Sequence, residues 1–126
     1  MMLLDTNVLY WWLNDPEKLS ADARAVVTSG SNLIVVSAVV PWELAIKTNL
    51  GKLDGQELLA IWHAKLAAEG FSEVPIESAH AIRAGLLPRH HRDPFDRMLA
   101  AQAQVTGWPI ISADRIFEIY GVRRIW

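Results

Sequence analysis

A three-layer α/β/α sandwich, with a short parallel sheet between helices, is the fold that this sequence of 126 residues predicts. Three observations point to it. Brief apolar runs alternate with stretches of helical periodicity along the whole chain. The runs are apolar throughout rather than at every second position, which suits strands covered on both faces. Helical patterns separate the runs, so crossovers rather than hairpins join them and the strands run parallel.

Taken in order, Met1–Leu4 is a first strand that stops at Asp5. A helix over Val8–Leu13 follows, with Thr6 or Asn7 as its cap. Ser20 caps a second helix, which Ser29-Gly30-Ser31 closes. Leu33–Val36 is β-branched, lies between Asn32 and Ser37, and reads as a buried strand. The next helix runs to about Asn49 and ends at Gly51. Gln56–Glu69 carries Leu58, Leu59, Trp62 and Leu66 at helical spacing, with Gly70 as the stop. Glu73–Pro75 is a short strand, and Glu77–Leu86 a helix that ends before Pro88. The clearest helix is Pro94–Gln104, ending near Gly107. Trp108–Ile111 is a further strand, Arg115–Tyr120 a short helix that Asp114 could cap, and Val122–Ile125 a last edge strand. With no repeat, linker or low-complexity stretch, residues 1–126 are expected to form a single domain.

Composition narrows the function. Hydrophobic residues make up 52% and charged residues 21%, which excludes a disordered chain. The absence of cysteine excludes a disulfide scaffold, zinc-thiolate and iron–sulfur sites and thiol catalysis, and it fits the reducing cytoplasm. A net charge of −2 argues against coating nucleic acid by bulk electrostatics. The start lacks the basic residues of a signal peptide. The longest uncharged apolar-rich stretch, Leu33–Trp42, is far short of the ~20 residues of a membrane span, so no membrane association is expected.

In parallel sheets ligands bind at the carboxyl ends of the strands. Asp5 directly follows the first strand, and Asp114 comes just beyond Trp108–Ile111. Glu43 sits one to two turns into the helix after Val36. Asp96 lies in the first turn of the helix that leads into the fourth strand, and it joins the others if that helix starts at their edge. Each acid has a plainer explanation. Asp5 and Asp114 could cap the helices that follow them. Glu43 could pair with Lys47 one turn on, although Val39, Val40, Leu44 and Ile46 make that surface apolar. In Asp93-Pro94-Phe95-Asp96, Asp93 suits the cap, Pro94 the first helical position and Asp96 the positive helix end. Caps account for the acids singly; four at the ligand edge of one sheet make a cluster.

Four carboxylates so close cannot all ionise without a counter-charge. Oxygen ligands, without cysteine or a His-x-x-x-His spacing, suit Mg²⁺ or Mn²⁺ rather than zinc. Such ions activate water and stabilise the leaving oxygen in phosphodiester hydrolysis. Beyond Lys65 the basic residues other than histidine are all arginine, which grips phosphate through two parallel bonds. Arg92, Arg97 and Arg115 flank the acids and are the candidates for substrate phosphates, while His90-His91 reads as a surface pair. A phospho-accepting receiver domain also gathers acids at strand ends. It needs an aspartate directly after the middle strand, where Ser37 stands, and a late lysine, which is missing. A domain that binds RNA or protein without catalysis is the other alternative.

Four segments carry a family resemblance: Leu3-Leu4-Asp5-Thr6-Asn7-Val8-Leu9, Trp42-Glu43-Leu44-Ala45-Ile46-Lys47 behind Ser37, His91-Arg92-Asp93-Pro94-Phe95-Asp96-Arg97 with the helix that follows, and Ile111-Ser112-Ala113-Asp114-Arg115-Ile116-Phe117. Together they resemble the PIN-domain ribonucleases, in particular the VapC-like toxins of bacterial toxin–antitoxin pairs. The resemblance spans the chain, and the block from His91 to Arg97 is its specific part. It implies that Asp5, Glu43, Asp96 and Asp114 hold Mg²⁺ or Mn²⁺ for the cleavage of single-stranded RNA. It also implies that Ser112 serves as the hydroxyl residue before the last acid, and that Thr6 and Asn7 orient Asp5 or a bound water. A homodimer and a small antitoxin protein that blocks the site complete the expectation. Trp11 and Trp12 are adjacent on one helix and cannot both face the same core, so one is expected at a dimer or antitoxin surface.

Overall fold

The computed structural model describes residues 1–126. Five parallel strands, β1 (Met2–Leu4), β2 (Ile34–Ser37), β3 (Ser72–Val74), β4 (Ile110–Ile111) and β5 (Arg124–Ile125), form one sheet in the order β3-β2-β1-β4-β5. Around it lie α1 (Thr6–Asn14), α2 (Ala21–Thr28), α3 (Val39–Asn49), α4 (Gln56–Ala60), α5 (Trp62–Glu69), α6 (Ser78–Leu86), α7 (Pro94–Thr106) and α8 (Ile116–Ile119), with a 3-10 turn at Pro16–Lys18. This is the predicted α/β/α sandwich. Leu3, Leu4, Val35, Val36, Ile110 and Ile111 are all but inaccessible, which is why the central strands show no alternation of apolar and polar residues.

The strand order positions the site. From β1 the chain winds through β2 to β3 on one side, then crosses to β4 and β5 on the other. Connections diverge beyond the carboxyl ends of β1 and β4, and such a switch point leaves a crevice. A helix between parallel strands runs back against them, so α3 and α7 start at that same edge.

Several element boundaries differ from the sequence expectation. The helix expected over Gln56–Glu69 is two helices, broken at Ile61 (φ −115°, ψ 23°). The break turns Trp62 into the core, where its indole N–H donates to Glu73, and leaves Ile61 outside. α1 begins two residues earlier than expected, with Asp5 at its cap position. β2 is displaced by one residue: Leu33 lies exposed and Ser37 joins the ladder. β3 stops before Pro75, which has no N–H for a ladder. No helix is long and apolar enough to cross a membrane.

Candidate active site

Asp5 leaves β1 in an extended conformation (φ −66°, ψ 150°) and, although it precedes α1, its side chain caps nothing. The carboxylate turns across the switch point instead, and Oδ2 accepts a hydrogen bond from Ser112 Oγ at 2.6 Å. Ser112 is fully buried, and the same hydroxyl oxygen accepts the N–H of Asp114 at 3.0 Å. One serine therefore ties the end of β1 to the turn after β4.

Glu43 is held from two sides. Thr6 Oγ1 donates to Oε1 at 2.6 Å, and Lys47 Nζ donates to Oε2 at 2.6 Å. The i,i+4 pair with Lys47 thus exists, yet Glu43 is only 4% exposed, so it is no surface decoration. The resemblance implies that Thr6 orients Asp5 or a bound water. As the first residue of α1 it faces α3 and holds Glu43. Asn7, on the opposite side of that turn, is exposed, and nothing ties it to Asp5.

At the start of α7, Asp93 is the cap that the sequence predicts: its Oδ1 accepts the N–H groups of Phe95 (2.8 Å) and Asp96 (3.2 Å), and Pro94 takes the first turn. This turn aims Asp96 at the site. Asp96 Oδ2 meets His91 Nε2 at 2.8 Å, and His91, Asp93 and Asp96 bring one potential ligand atom each to within 4.8 Å of one another. From sequence alone His91 is a candidate for substrate contact or proton transfer, but a surface position is the preferred reading. Its place two residues before the cap, where the chain folds back over the first turn, is the signal that could have found it.

Charge shows which acids share a space. Burial first, then the charges of Asp96 and Glu43, push the Asp5 carboxyl up to about 7 against the lowering bond from Ser112. Burial, Asp93 and Glu43 push Asp96 up to about 6, partly offset by His91. At Lys47 partial burial disfavours the charge, but the bond and charge of Glu43, with Asp93 and Asp96 beyond, carry its pKa above the ordinary lysine value. Asp5, Glu43 and Asp96 therefore act on one another, with Lys47 and His91 as the cations at hand. Asp114 stands apart. It is exposed, its Oδ1 accepts the N–H of Ile116 at 2.9 Å, and only its backbone reaches the site, through Ser112.

Among the arginines, Arg97 departs from expectation. NH1 donates to the carbonyls of Pro88 and His91, and NH2 to those of Ala84, Gly85 and Leu87. It is a staple that binds the end of α6 and the 87–91 loop to α7, with both terminal nitrogens occupied by the protein rather than held ready for substrate. Arg92 and Arg115 are exposed. The tryptophans also differ. Trp11 packs against Trp126, and Trp12 against Phe71 with its N–H on Glu69, so both are half-buried within the chain. The open one is Trp42, 54% exposed beside Glu43, with its ring edge-to-face on Phe95 at 5.0 Å.

This geometry has known counterparts. The PIN domain family matches residues 2–122. Ribonuclease VapC22 of Mycobacterium tuberculosis strain H37Rv is 33% identical over 116 residues, 90% of this chain and 87% of that protein. DNA-bound VapBC from Salmonella typhimurium superposes with a TM-score of 0.72 at 18% identity, over 98% of this chain and 95% of that one. A toxin–antitoxin complex from Klebsiella pneumoniae gives 0.64 at 15%, over 91% and 88%. At such identities the two structures establish a common fold.

Proposed function

The chain belongs to the PIN-domain family, among its VapC-like ribonucleases, and from that premise we propose that residues 1–126 act as one Mg²⁺- or Mn²⁺-dependent endoribonuclease unit that cuts single-stranded RNA as the toxin of a toxin–antitoxin pair. The observation that carries this reading is the meeting of Asp5, Glu43 and Asp96 at the switch point, with two carboxyls raised by burial and mutual repulsion. A buried oxygen cluster of that kind fits a hard divalent cation. Asp5, Glu43 and Asp96 would hold it, with Asp114 as the fourth acid from the rim. When bound, such an ion supplies a Lewis acid at the scissile phosphate and lowers the pKa of water.

The remaining residues have supporting tasks. Ser112 fixes the rotamer of Asp5, and Thr6 and Lys47 fix that of Glu43. Asp93 sets the start of α7 and thereby Asp96. Arg92 and Arg115 offer open guanidinium groups to the RNA backbone, and Trp42 offers a base a flat ring to stack on. A small antitoxin protein that covers the site and a homodimeric assembly belong to the same reading, in line with the complexes that share the fold.

Incubation of purified protein with labelled single-stranded RNA tests it. Cleavage is expected with Mg²⁺ or Mn²⁺, none in EDTA, and none above background in Asp5→Asn. Cleavage that persists in EDTA or in Asp5→Asn would overturn the assignment.

A further inference from the structure

Next to the acids, and sharing His91 with them, lies a hollow of ≈ 520 Å³ lined by Gly85, Arg89, His91, Arg92 and Arg97. We propose that this hollow is a phosphate-binding site and that, resting on the nuclease reading above, it seats the RNA phosphate adjoining the one that is cut.

The lining holds three guanidinium groups, no carboxylate and no apolar side chain. Arg97 forms the floor: its terminal nitrogens are engaged by carbonyls, but its charge remains. Arg89 and Arg92 are exposed. The ion pairs of the molecule are Lys18–Asp15, Lys47–Glu43, Lys65–Glu69, His91–Asp96 and Arg124–Glu118, and neither arginine is in them. Like charges gathered without a counter-ion repel, as they do among the acids, with the opposite sign. An anion relieves them, and a guanidinium fork matches the oxygens of a phosphate. His91 links the two places. Its ring bonds Asp96, and the same residue lines the hollow. A strand with one phosphate at Asp96 thus has its neighbour beside the residue that both places share, where the arginines are. Two phosphates held at once fix the register of the strand over the acids.

Gly85 gives a clean handle. A Cβ at this position meets nothing within 4 Å, and Gly85 lies in α6, where a side chain is conformationally welcome. Gly85→Glu therefore puts a negative charge at the hollow without disturbing the packing. Inorganic phosphate is titrated calorimetrically, in EDTA, into the wild type, Gly85→Glu and Arg89→Gln/Arg92→Gln, with thermal midpoints measured alongside. Saturable binding by the wild type and at least tenfold weaker binding by both variants, at unchanged midpoints, is the expected result. Equal binding by all three, or no binding by the wild type, overturns the site. A second arm, also in EDTA so that no strand is cut, uses single-stranded RNA over a range of salt. Loss of one phosphate contact in the double variant lowers the slope of log K against log[salt] by about 0.7. An unchanged slope with intact phosphate binding overturns the RNA register and leaves a site for free phosphate. Polyglutamate that displaces RNA more strongly than phosphate does overturns the choice of ligand. Because the phosphate titration needs neither metal nor turnover, it can succeed where the nuclease assay fails, and the two readings fall separately.

Discussion

Asp5 and Asp96 carry the same group and feel each other's charge, yet they are held by different means. Asp5 stands at a strand end, nearly inaccessible, bonded to a buried serine. The sheet itself gives it rigidity, and desolvation is the cost. Asp96 stands on the first turn of α7, partly open, bonded to a histidine from the preceding loop. Its position depends on that loop, which Arg97 and Tyr120 assemble: the tyrosine hydroxyl donates to Pro88 O at 2.9 Å and accepts the N–H of His91 at 3.1 Å. One half of the site comes with the fold, and the other half is built by two side chains.

The largest effect should separate function from stability. Asp5→Asn and Asp96→Asn are each expected to lower RNA cleavage by about a thousandfold, roughly 4 kcal/mol in the transition state. Their stabilities should diverge. Asp5→Asn removes a nearly buried charge while keeping its shape, so its thermal midpoint in EDTA at pH 7.5 should rise above wild type. Asp96→Asn, more open and partnered by His91, should rise by less. Equal midpoints for the two variants would erase the distinction.

Next comes the loop. Arg97→Met keeps the stem of the side chain but leaves several carbonyls of α6 and the loop without a donor. A loss of about 3 kcal/mol in urea denaturation is expected, with cleavage falling because Asp96 and His91 lose their support. Arg97→Lys should restore little of either, since an ammonium group cannot span carbonyls from two segments. Full recovery in Arg97→Lys would mean that charge alone matters there.

These cases show what was legible in the sequence and what was not. The strand-end acids and the Asp93 cap are local features: an acid directly after an apolar run, and Asp-Pro before a helical pattern. Asp5 and the Asp93 cap stand where the sequence puts them, whereas Asp114 turns its carboxylate to the N–H of Ile116 and stays outside the cluster. The partner of Thr6 lies on another element, α3, and the carbonyls that Arg97 binds lie as far as 13 residues upstream. Such pairings depend on how helices dock, and nothing in local spacing encodes them. An arginine beside an acid looks the same whether it faces substrate or its own backbone. The break at Ile61 was hidden for a related reason. Leu58, Leu59, Trp62 and Leu66 keep helical phase across it, so the periodicity gives no sign of a bend.

The pH dependence of stability is comparable in size. The unfolded chain ionises Asp5 near 3.8, and the folded one only near 7. Over that window the unfolded state binds fewer protons, so stability of the metal-free protein is fullest at low pH and declines as pH rises toward 7. Asp96 acts in the same direction, up to about 6. The contribution of Asp5 is on the order of 4 kcal/mol at most. Thermal midpoints in EDTA should therefore fall between pH 5 and 7.5, Asp5→Asn should flatten the decline, and Mg²⁺, by binding the ionised acids, should reverse it. A midpoint that rises over this range in EDTA would contradict the assignment of buried, uncompensated acids.

The smallest effect probes what sets Asp96 apart. Burial is the first cause of both raised carboxyls, but the charge that adds most to it is that of Asp93 at Asp96 and that of Asp96 at Asp5. Asparagine caps a helix about as well as aspartate, so Asp93→Asn keeps the oxygen that accepts the N–H groups of Phe95 and Asp96 while removing the charge. Stability should stay within about 0.5 kcal/mol of wild type, against a loss of about 1 kcal/mol in Asp93→Ala, where the cap itself is gone. Carboxyl carbon NMR titration should then show Asp96 moving down toward the ordinary aspartate range while Asp5 stays near 7. If the two carboxyls moved together, they would be titrating as one unit, and the contrast between an acid governed by the sheet and an acid governed by its loop would have to be given up.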